Sequence, residues 1–221
     1  MPNEQYTKII TILDESGSMH ATRKDTIGGY NNFIEEQRKI PGTADITLYT
    51  FSNKARSVLN NVSIHKDEAL ISLDQYVPKG NTALYDAVGR AITETGEILS
   101  AIPEQWRPAK VVVVIITDGE ENASTDYTRE QIKKMIEHQS SVYSWQFVFL
   151  GANQDAFAES AKLGISRGST VTYIPDSYGI KQTTNSLSAN ISRYRAGGQS
   201  ASFTPEEQEA ALKKLNETKL S

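Results

Sequence analysis

The chain contains no cysteine among its 221 residues. Disulfide bonds, thiolate metal sites and a cysteine nucleophile are therefore excluded, and a reducing compartment fits this composition best. The sequence also has no run of about 18 apolar residues, and its first residues lack the basic start and apolar stretch of a secretion signal. We therefore expect a cytoplasmic protein that has no membrane partner.

The chain also has no large excess of charge of either sign. Lysine and arginine total 23 against 27 acidic residues, which gives a net charge of -4 and a pI near 5.5. This balance favours solubility and provides no bulk attraction to nucleic acid. The length suits one well-buried core rather than two enzyme-sized domains. We expect a monomer with one domain at 1–195, followed by a flexible linker and a short C-terminal helix at 196–221.

Apolar, β-rich runs alternate with helical patterns along the chain. The run VVVVIIT has no polar alternation, which predicts a central strand that is buried on both faces. RSVLNNVSI follows the preceding run after a few residues, which predicts an antiparallel edge strand. The fold class predicted is α/β: a doubly wound, Rossmann-like, mostly parallel central sheet with one antiparallel edge strand and helices on both faces. The predicted strands are 6–13, 45–51, 56–64, 111–117, 145–150 and 170–174.

Helical patterns fill the segments between these strands. Gly28 and Gly29 would each weaken the first helix by about 1 kcal/mol relative to alanine. Either they permit close packing against the loop after the first strand, or the helix begins later. Near the C-terminus, RAGGQSAS is typical of a linker, and Thr204, Pro205 and Glu207 predict the start of a helix that docks or frays, or binds a partner. The predicted helices before it are 24–39, 67–75, 83–100, 128–140, 153–163 and 177–194.

Acidic and hydroxyl side chains follow two strands that are predicted to end at the same edge of the sheet. DESGSM places Asp14, Ser16 and Ser18 at alternate positions, and Asp118 follows VVVVIIT. If the two strands are neighbours, Asp14 and Asp118 meet, and they repel each other unless a proton or a cation lies between them. Oxygen ligands without His or Cys select a hard cation, Mg²⁺ first and then Mn²⁺ or Ca²⁺. Taken alone, DESGSM is equally typical of a polar turn.

A third fragment, PKGNTALYDAVG, places Thr82 just before a long helix, where by itself it would act as an N-cap. DESGSM, GNTALYD and ITDGEEN, in this order, resemble the metal-ion-dependent adhesion site of the von Willebrand factor A family. The resemblance covers about residues 5–194. It implies that Ser16, Ser18 and Thr82 offer hydroxyls to the cation. It also implies that Asp14 and Asp118 supply charge, at least one of them through water.

The resemblance implies a function of metal-dependent protein binding, in which the cation accepts an Asp or Glu carboxylate from a partner protein. TIGGYNNFIEEQ and FVFLGANQDAFA are further similar to compact stand-alone A-domain proteins of bacteria and their phages. The family's site needs no imidazole, so we do not expect His20 to be a ligand, and we expect His65 and His138 to be surface residues. The residues expected to frame the opening are Glu15, Met19, His20, Asn81, Tyr85, Glu120, Glu121 and 151–153.

Other functions stay open at this point. Haloacid-dehalogenase-type phosphatases, which transfer phosphoryl groups with Mg²⁺, also place an Asp after the first strand, but the second Asp that they need two residues later is Ser16 here. The sequence has no phosphate-binding glycine motif and no Ser-His-Asp elbow, so we expect no enzyme. A second alternative is an RNA-associated A domain, although the basic residues form no aromatic-basic motif. A third is a metal with a purely structural role.

Overall fold

The computed structural model describes residues 1–152 and 156–212. Within these residues one six-stranded sheet has the order β3-β2-β1-β4-β5-β6. Its neighbouring strands pair in parallel, except for the antiparallel pair β2–β3 at one edge. The predicted fold class is therefore confirmed. The strands are β1 (Asn3–Asp14), β2 (Thr43–Phe51), β3 (Ala55–Ser63), β4 (Pro108–Thr117), β5 (Gln146–Gly151) and β6 (Thr170–Thr172).

Helices cover both faces of the sheet. On one face α1 and α5 pack over Ile9, Leu13 and Val114, and on the other α2, α3 and α4 pack over Ile10 and Val113. Central strands with both faces covered in this way need apolar residues throughout, which explains the run VVVVIIT. The helices are α1 (Arg23–Arg38), α2 (Leu84–Ala101), α3 (Arg129–Tyr143), α4 (Ala156–Lys162), α5 (Ser177–Arg195) and α6 (Pro205–Ala210).

The predicted helix at 67–75 is wrong. Two 3₁₀ turns, Asp67–Ala69 and Leu73–Gln75, flank a short segment in which Leu70 and Ser72 are extended. Between those two residues, the backbone N–H of Ile71 donates to the side chain of Asn31, and its carbonyl accepts from the same side chain, both at 2.9 Å. The segment therefore forms hydrogen bonds with α1 instead of continuing as a helix.

The predicted C-terminal helix is present as α6. Its capping box is confirmed, because the Thr204 hydroxyl accepts from the Glu207 N–H at 3.2 Å. The Glu207 carboxylate also accepts from Arg193 of α5, and Phe203 is buried before the helix begins. Up to residue 212 the helix and the preceding segment therefore pack against the sheet domain. The predicted helical residues 153–155 and 213–215 lie outside the described residues.

Gly28 and Gly29 both lie inside α1, which begins at Arg23. The expectation of a later helix start is therefore wrong. A Cβ atom on Gly29 would lie 2.7 Å from the Thr184 Cγ2 atom of α5, whereas a Cβ atom on Gly28 would meet nothing within 4 Å. The close packing at Gly29 is thus against α5, and not against the loop after the first strand.

We predict that alanine at these two neighbouring positions has opposite effects on stability. Gly28→Ala gains helix propensity at an exposed position and should raise the free energy of unfolding by about 0.5–1 kcal/mol. Gly29→Ala gains the same propensity, but forcing its methyl group against Thr184 should cost about 1–3 kcal/mol. Urea unfolding of both variants measures the difference. Equal shifts for the two would contradict the close packing of α1 on α5.

Candidate metal centre

The parallel pairing of β1 with β4 brings the polar residues after both strands to one edge of the sheet. The Ser18 hydroxyl donates to Asp118 Oδ1, and the Ser16 and Ser18 hydroxyl oxygens lie 3.0 Å apart. The Ser16 N–H donates in turn to Asp14 Oδ1 at 2.7 Å. Four of the five predicted metal ligands, Asp14, Ser16, Ser18 and Asp118, are therefore linked in one hydrogen-bonded chain.

Thr82, the fifth predicted ligand, lies in the loop before α2. A Cβ atom on Gly119 would lie 3.0 Å from the Thr82 hydroxyl oxygen and 3.8 Å from Asp14 Oδ2, so both oxygens border the space beside Gly119. The expectation that Thr82 is an N-cap is wrong, because Ala83 occupies the N-cap position of α2 and makes no side-chain capping hydrogen bond. The Thr82 N–H instead donates to the Asn122 side chain at 2.9 Å.

Backbone hydrogen bonds hold the loop after β1 against its neighbours. The Glu15 N–H donates to the carbonyl of Phe51 at 2.6 Å, and the Gly17 N–H donates to the carbonyl of Gly80 at 3.0 Å. The Tyr76 hydroxyl donates to the carbonyl of Asp14 at 2.6 Å. Burial, reinforced by the charge of Asp14, raises the pKa of Tyr76 and keeps this donor protonated. The position of Asp14 is therefore fixed by its main chain as well as by its side chain.

Both carboxyl groups of the site carry a desolvation penalty. Burial raises the pKa of Asp14, and the charge of Asp118 adds to this, although hydrogen bonds from Thr117 and Ser16 act in the opposite direction. The Thr117 hydroxyl donates to Asp14 Oδ2 at 2.6 Å. Burial also raises the pKa of Asp118, against the hydrogen bond from Ser18. A cation between the two carboxylates would offset both penalties.

The donor chemistry of this edge fits a hard divalent cation. The candidate ligands are two carboxylates and three hydroxyls, all of them oxygen donors of the kind that Mg²⁺, Mn²⁺ and Ca²⁺ prefer. In the part of the chain that the structure describes, no group of three or more His, Cys, Asp or Glu side chains could hold a metal ion. A metal centre here would therefore depend on the serine and threonine hydroxyls.

Three of the residues expected to frame the opening support the loops from inside. The Glu15 side chain is 6% exposed, and its carboxylate accepts from the Arg56 guanidinium at 2.9 Å and from the Val77 N–H. Met19 is buried in the core under α1. The Glu121 carboxylate accepts from the N–H groups of Tyr85, Ala123 and Ser124.

Other residues expected around the opening are exposed, namely His20, Asn81 and Glu120. Tyr85 is half-buried, Gly151 and Ala152 are buried, and residue 153 lies outside the described residues. His65 and His138 are exposed, as expected, and the His138 ring packs edge-on against Tyr143. Ser18 is exposed as well, so the hydrogen-bonded chain of candidate ligands can be reached from solvent at this residue.

Sequence reasoning missed two residues that orient Asp14, namely Thr117 and Tyr76. A signal for Thr117 was present, because it is the one hydroxyl residue of the otherwise apolar run VVVVIIT. Tyr76 has no such signal, because its contact depends on the path of the chain through residues 64–79. Gly119 was part of the TDG fragment, but its role as the small residue beside Thr82 depends on the three-dimensional structure.

Known proteins match this chain in sequence pattern and in fold. The von Willebrand factor type A domain family matches residues 8–186. One similar structure is that of proximal thread matrix protein 1 from the mussel byssus, with zinc in its metal-ion-dependent adhesion site (MIDAS) motif. It has 16% identity and a TM-score of 0.61, over 85% of this chain and 46% of that one. The manganese-loaded TRAP protein of Plasmodium vivax has 15% identity and a TM-score of 0.55, over 77% of this chain and 69% of that one.

A bacterial structure covers a still larger share of both chains. The vWF domain of the type V pili tip protein Mfa5 from Porphyromonas gingivalis has 9% identity and a TM-score of 0.65, over 87% of this chain and 97% of that one. The chain spans about half the length of the mussel byssus proteins it matches. No curated protein matches the sequence significantly. None of the helices in the described residues is long and apolar enough to cross a membrane.

We predict that Arg56 stabilises the loop after β1 through Glu15. Arg56→Met leaves the buried Glu15 carboxylate without its guanidinium partner. Because Arg56 itself is about half exposed, the free energy of unfolding should fall by about 2 kcal/mol rather than by the larger amount typical of fully buried pairs. Lys54→Met, at an exposed position on the same hairpin, is the matched control and should change stability little. Equal stabilities in urea unfolding would show that the ion pair contributes nothing.

Proposed function

Because the chain belongs to the von Willebrand factor type A domain family, we propose that it is a divalent-metal-dependent protein-binding module. Asp14, Ser16, Ser18, Thr82 and Asp118 would hold the cation, which we propose to be Mg²⁺, with Mn²⁺ and Ca²⁺ as alternatives. The observation that carries this proposal is the hydrogen-bonded chain from Asp14 to Asp118, with the Thr82 hydroxyl bordering the same space. When bound, the cation would supply a coordination position for a carboxylate of the partner protein.

The residues of this chain prepare that position before any partner arrives. Thr117 and the Ser16 N–H hold the two oxygens of Asp14 in fixed directions. A site that is already formed loses less conformational entropy when it binds. Ser18 and Asn81 are exposed, so the Asp or Glu side chain of a protein can approach from solvent. An attraction between charges partly shielded from water is strong, so this one contact can dominate partner choice.

The relatives support a role in adhesion or assembly. Two of the similar structures carry a metal: the byssus matrix protein has zinc in its MIDAS motif, and the TRAP protein is loaded with manganese. A third is the vWF domain of a pilus tip protein. These proteins are less than 25% identical to the chain, so they support the proposal through the shared fold. The partner protein of this chain stays unidentified in the proposal. We further propose that the domain is monomeric and cytoplasmic and that it binds neither RNA nor a membrane.

We also propose that the domain is not an enzyme. In a phosphatase of the type considered above, an acid two residues after Asp14 would serve as general acid and base, and the hydroxyl of Ser16 is a poor substitute for it. The adjacent acid, Glu15, has its carboxylate bound to Arg56 and to a backbone N–H. An acid held in this way supports the loop and is not positioned to transfer protons at the site.

Calorimetric titration with Mg²⁺ and Mn²⁺ tests the metal site. We expect saturable binding to the wild-type protein and loss of binding in Asp14→Ala and in Asp118→Ala, because each variant removes one of the two charges that attract the cation. Asp74→Ala removes an exposed carboxylate from the turn Leu73–Gln75 and should bind as the wild type does. Circular dichroism checks that the variants stay folded. Variants that unfold would instead support a structural role for the metal. A wild-type protein that binds neither Mg²⁺ nor Mn²⁺ would refute the metal site.

Capture of partner proteins tests the binding function separately. The immobilised protein is exposed to a lysate of its source organism with Mg²⁺, and the bound proteins are released with EDTA. We expect a protein in the EDTA eluate of the wild type and of Asp74→Ala that is missing from the eluate of Asp14→Ala, because Asp14→Ala lacks the metal on which the contact depends. Neutralising single Asp or Glu residues of the captured protein should then abolish binding at one position. Capture that survives EDTA would contradict the proposal.

A further inference from the structure

A small cavity lies between α1, α5 and the sheet, close to the edge that carries the candidate ligands. Ile116 and Leu150, near the ends of β4 and β5, form its apolar wall, and it offers about 20 Å³ of space to the centre of a water molecule. One water needs only about 10–15 Å³ of such room. The cavity therefore has enough room for a single water.

Four hydroxyl-bearing side chains of the two helices border this cavity. The Thr184 hydroxyl donates to the carbonyl of Ile180 at 2.9 Å, and the Tyr30 hydroxyl donates to the carbonyl of Ala69 at 3.2 Å. Thr26 and Thr183 differ from these, because within the described residues neither hydroxyl has a hydrogen-bond partner. Thr26 is 6% exposed and Thr183 is 2% exposed, so bulk water does not hydrate them freely.

An unpaired buried hydroxyl is unusual because burial removes its hydrogen bonds to water without replacing them. A threonine in a helix commonly satisfies its hydroxyl with a carbonyl of the preceding turn, as Thr184 does. Thr26 and Thr183 leave that option unused. One such group from each helix, beside one cavity of the size of a water molecule, indicates a common partner within the cavity.

We infer that a structural water occupies this cavity and bridges the hydroxyls of Thr26 and Thr183, joining α1 to α5. The packing of the two helices explains why space is left here. They touch at Gly29, where a Cβ atom would lie 2.7 Å from the Thr184 side chain. Thr26 precedes Gly29 by about one helical turn, where the side chains are short and leave a gap between the helices. This water site does not depend on the proposed metal or on a partner protein.

A high-resolution crystal structure of the wild-type protein tests the inference. We expect a density peak within hydrogen-bonding distance of both hydroxyls, and we expect it to be lost in the double variant Thr26→Val and Thr183→Val. Valine keeps the shape of threonine but provides no hydrogen-bond donor or acceptor. Thr184→Val, whose hydroxyl is bonded within its own helix, is the matched control and should keep the peak. A wild-type cavity without density would overturn the inference.

Urea unfolding of the same double variant provides a second test, because a wet cavity and a dry cavity predict shifts of the midpoint in opposite directions. If the wild-type cavity holds a water, the valines remove its hydrogen bonds and leave the cavity empty, and the urea midpoint should fall. If the cavity is dry, the valines remove two unpaired hydroxyls, and the midpoint should rise. A rise would overturn the inference, and a fall that exceeds the effect of Thr184→Val would support it.

Discussion

The burial of two carboxyl groups, Asp14 and Asp118, at one edge of the sheet is the constraint on which the rest of this site depends. Parallel pairing of β1 with β4 forces the two carboxyl groups to one edge, and burial raises the pKa of each. Hydroxyl groups from Ser18 and Thr117 hold the carboxylates in place. We propose that a divalent cation offsets the remaining cost of burying the two carboxylates and is the point at which the partner protein binds.

The surrounding acids show how little of the local charge is available to a partner. Glu15 lies directly beside Asp14 in sequence, yet Arg56 and a backbone N–H occupy its carboxylate. Glu121 accepts from three N–H groups, one of them in the first turn of α2, where a negative charge is favourable. Both residues serve the loops from which the candidate ligands project. Recognition would therefore depend on the metal position and on a few exposed residues.

The sequence predicted the meeting of Asp14 with Asp118 because the ends of parallel strands necessarily share an edge. The alternate spacing of Ser16 and Ser18 after Asp14 also suggested that the three residues lie close together, and hydrogen bonds link them. The break between the two 3₁₀ turns at 67–75 was not predictable, because the hydrogen bonds of Ile71 there are formed with Asn31, a residue 40 positions earlier. The contact of Gly29 with α5 was missed for the same reason. Local patterns thus predicted the strands and the edge where the candidate ligands lie, whereas packing between distant segments needed the structure.

Diffraction from crystals soaked in Mn²⁺, measured at the manganese absorption edge, would locate the proposed cation. We expect one anomalous peak at the edge of β1 and β4, bonded to the hydroxyl oxygens of Ser16, Ser18 and Thr82 and next to Asp14 and Asp118. Crystals of Asp14→Ala should show no peak there. A wild-type structure with manganese elsewhere, or with none bound at millimolar concentration, would contradict a metal site at Asp14 and Asp118.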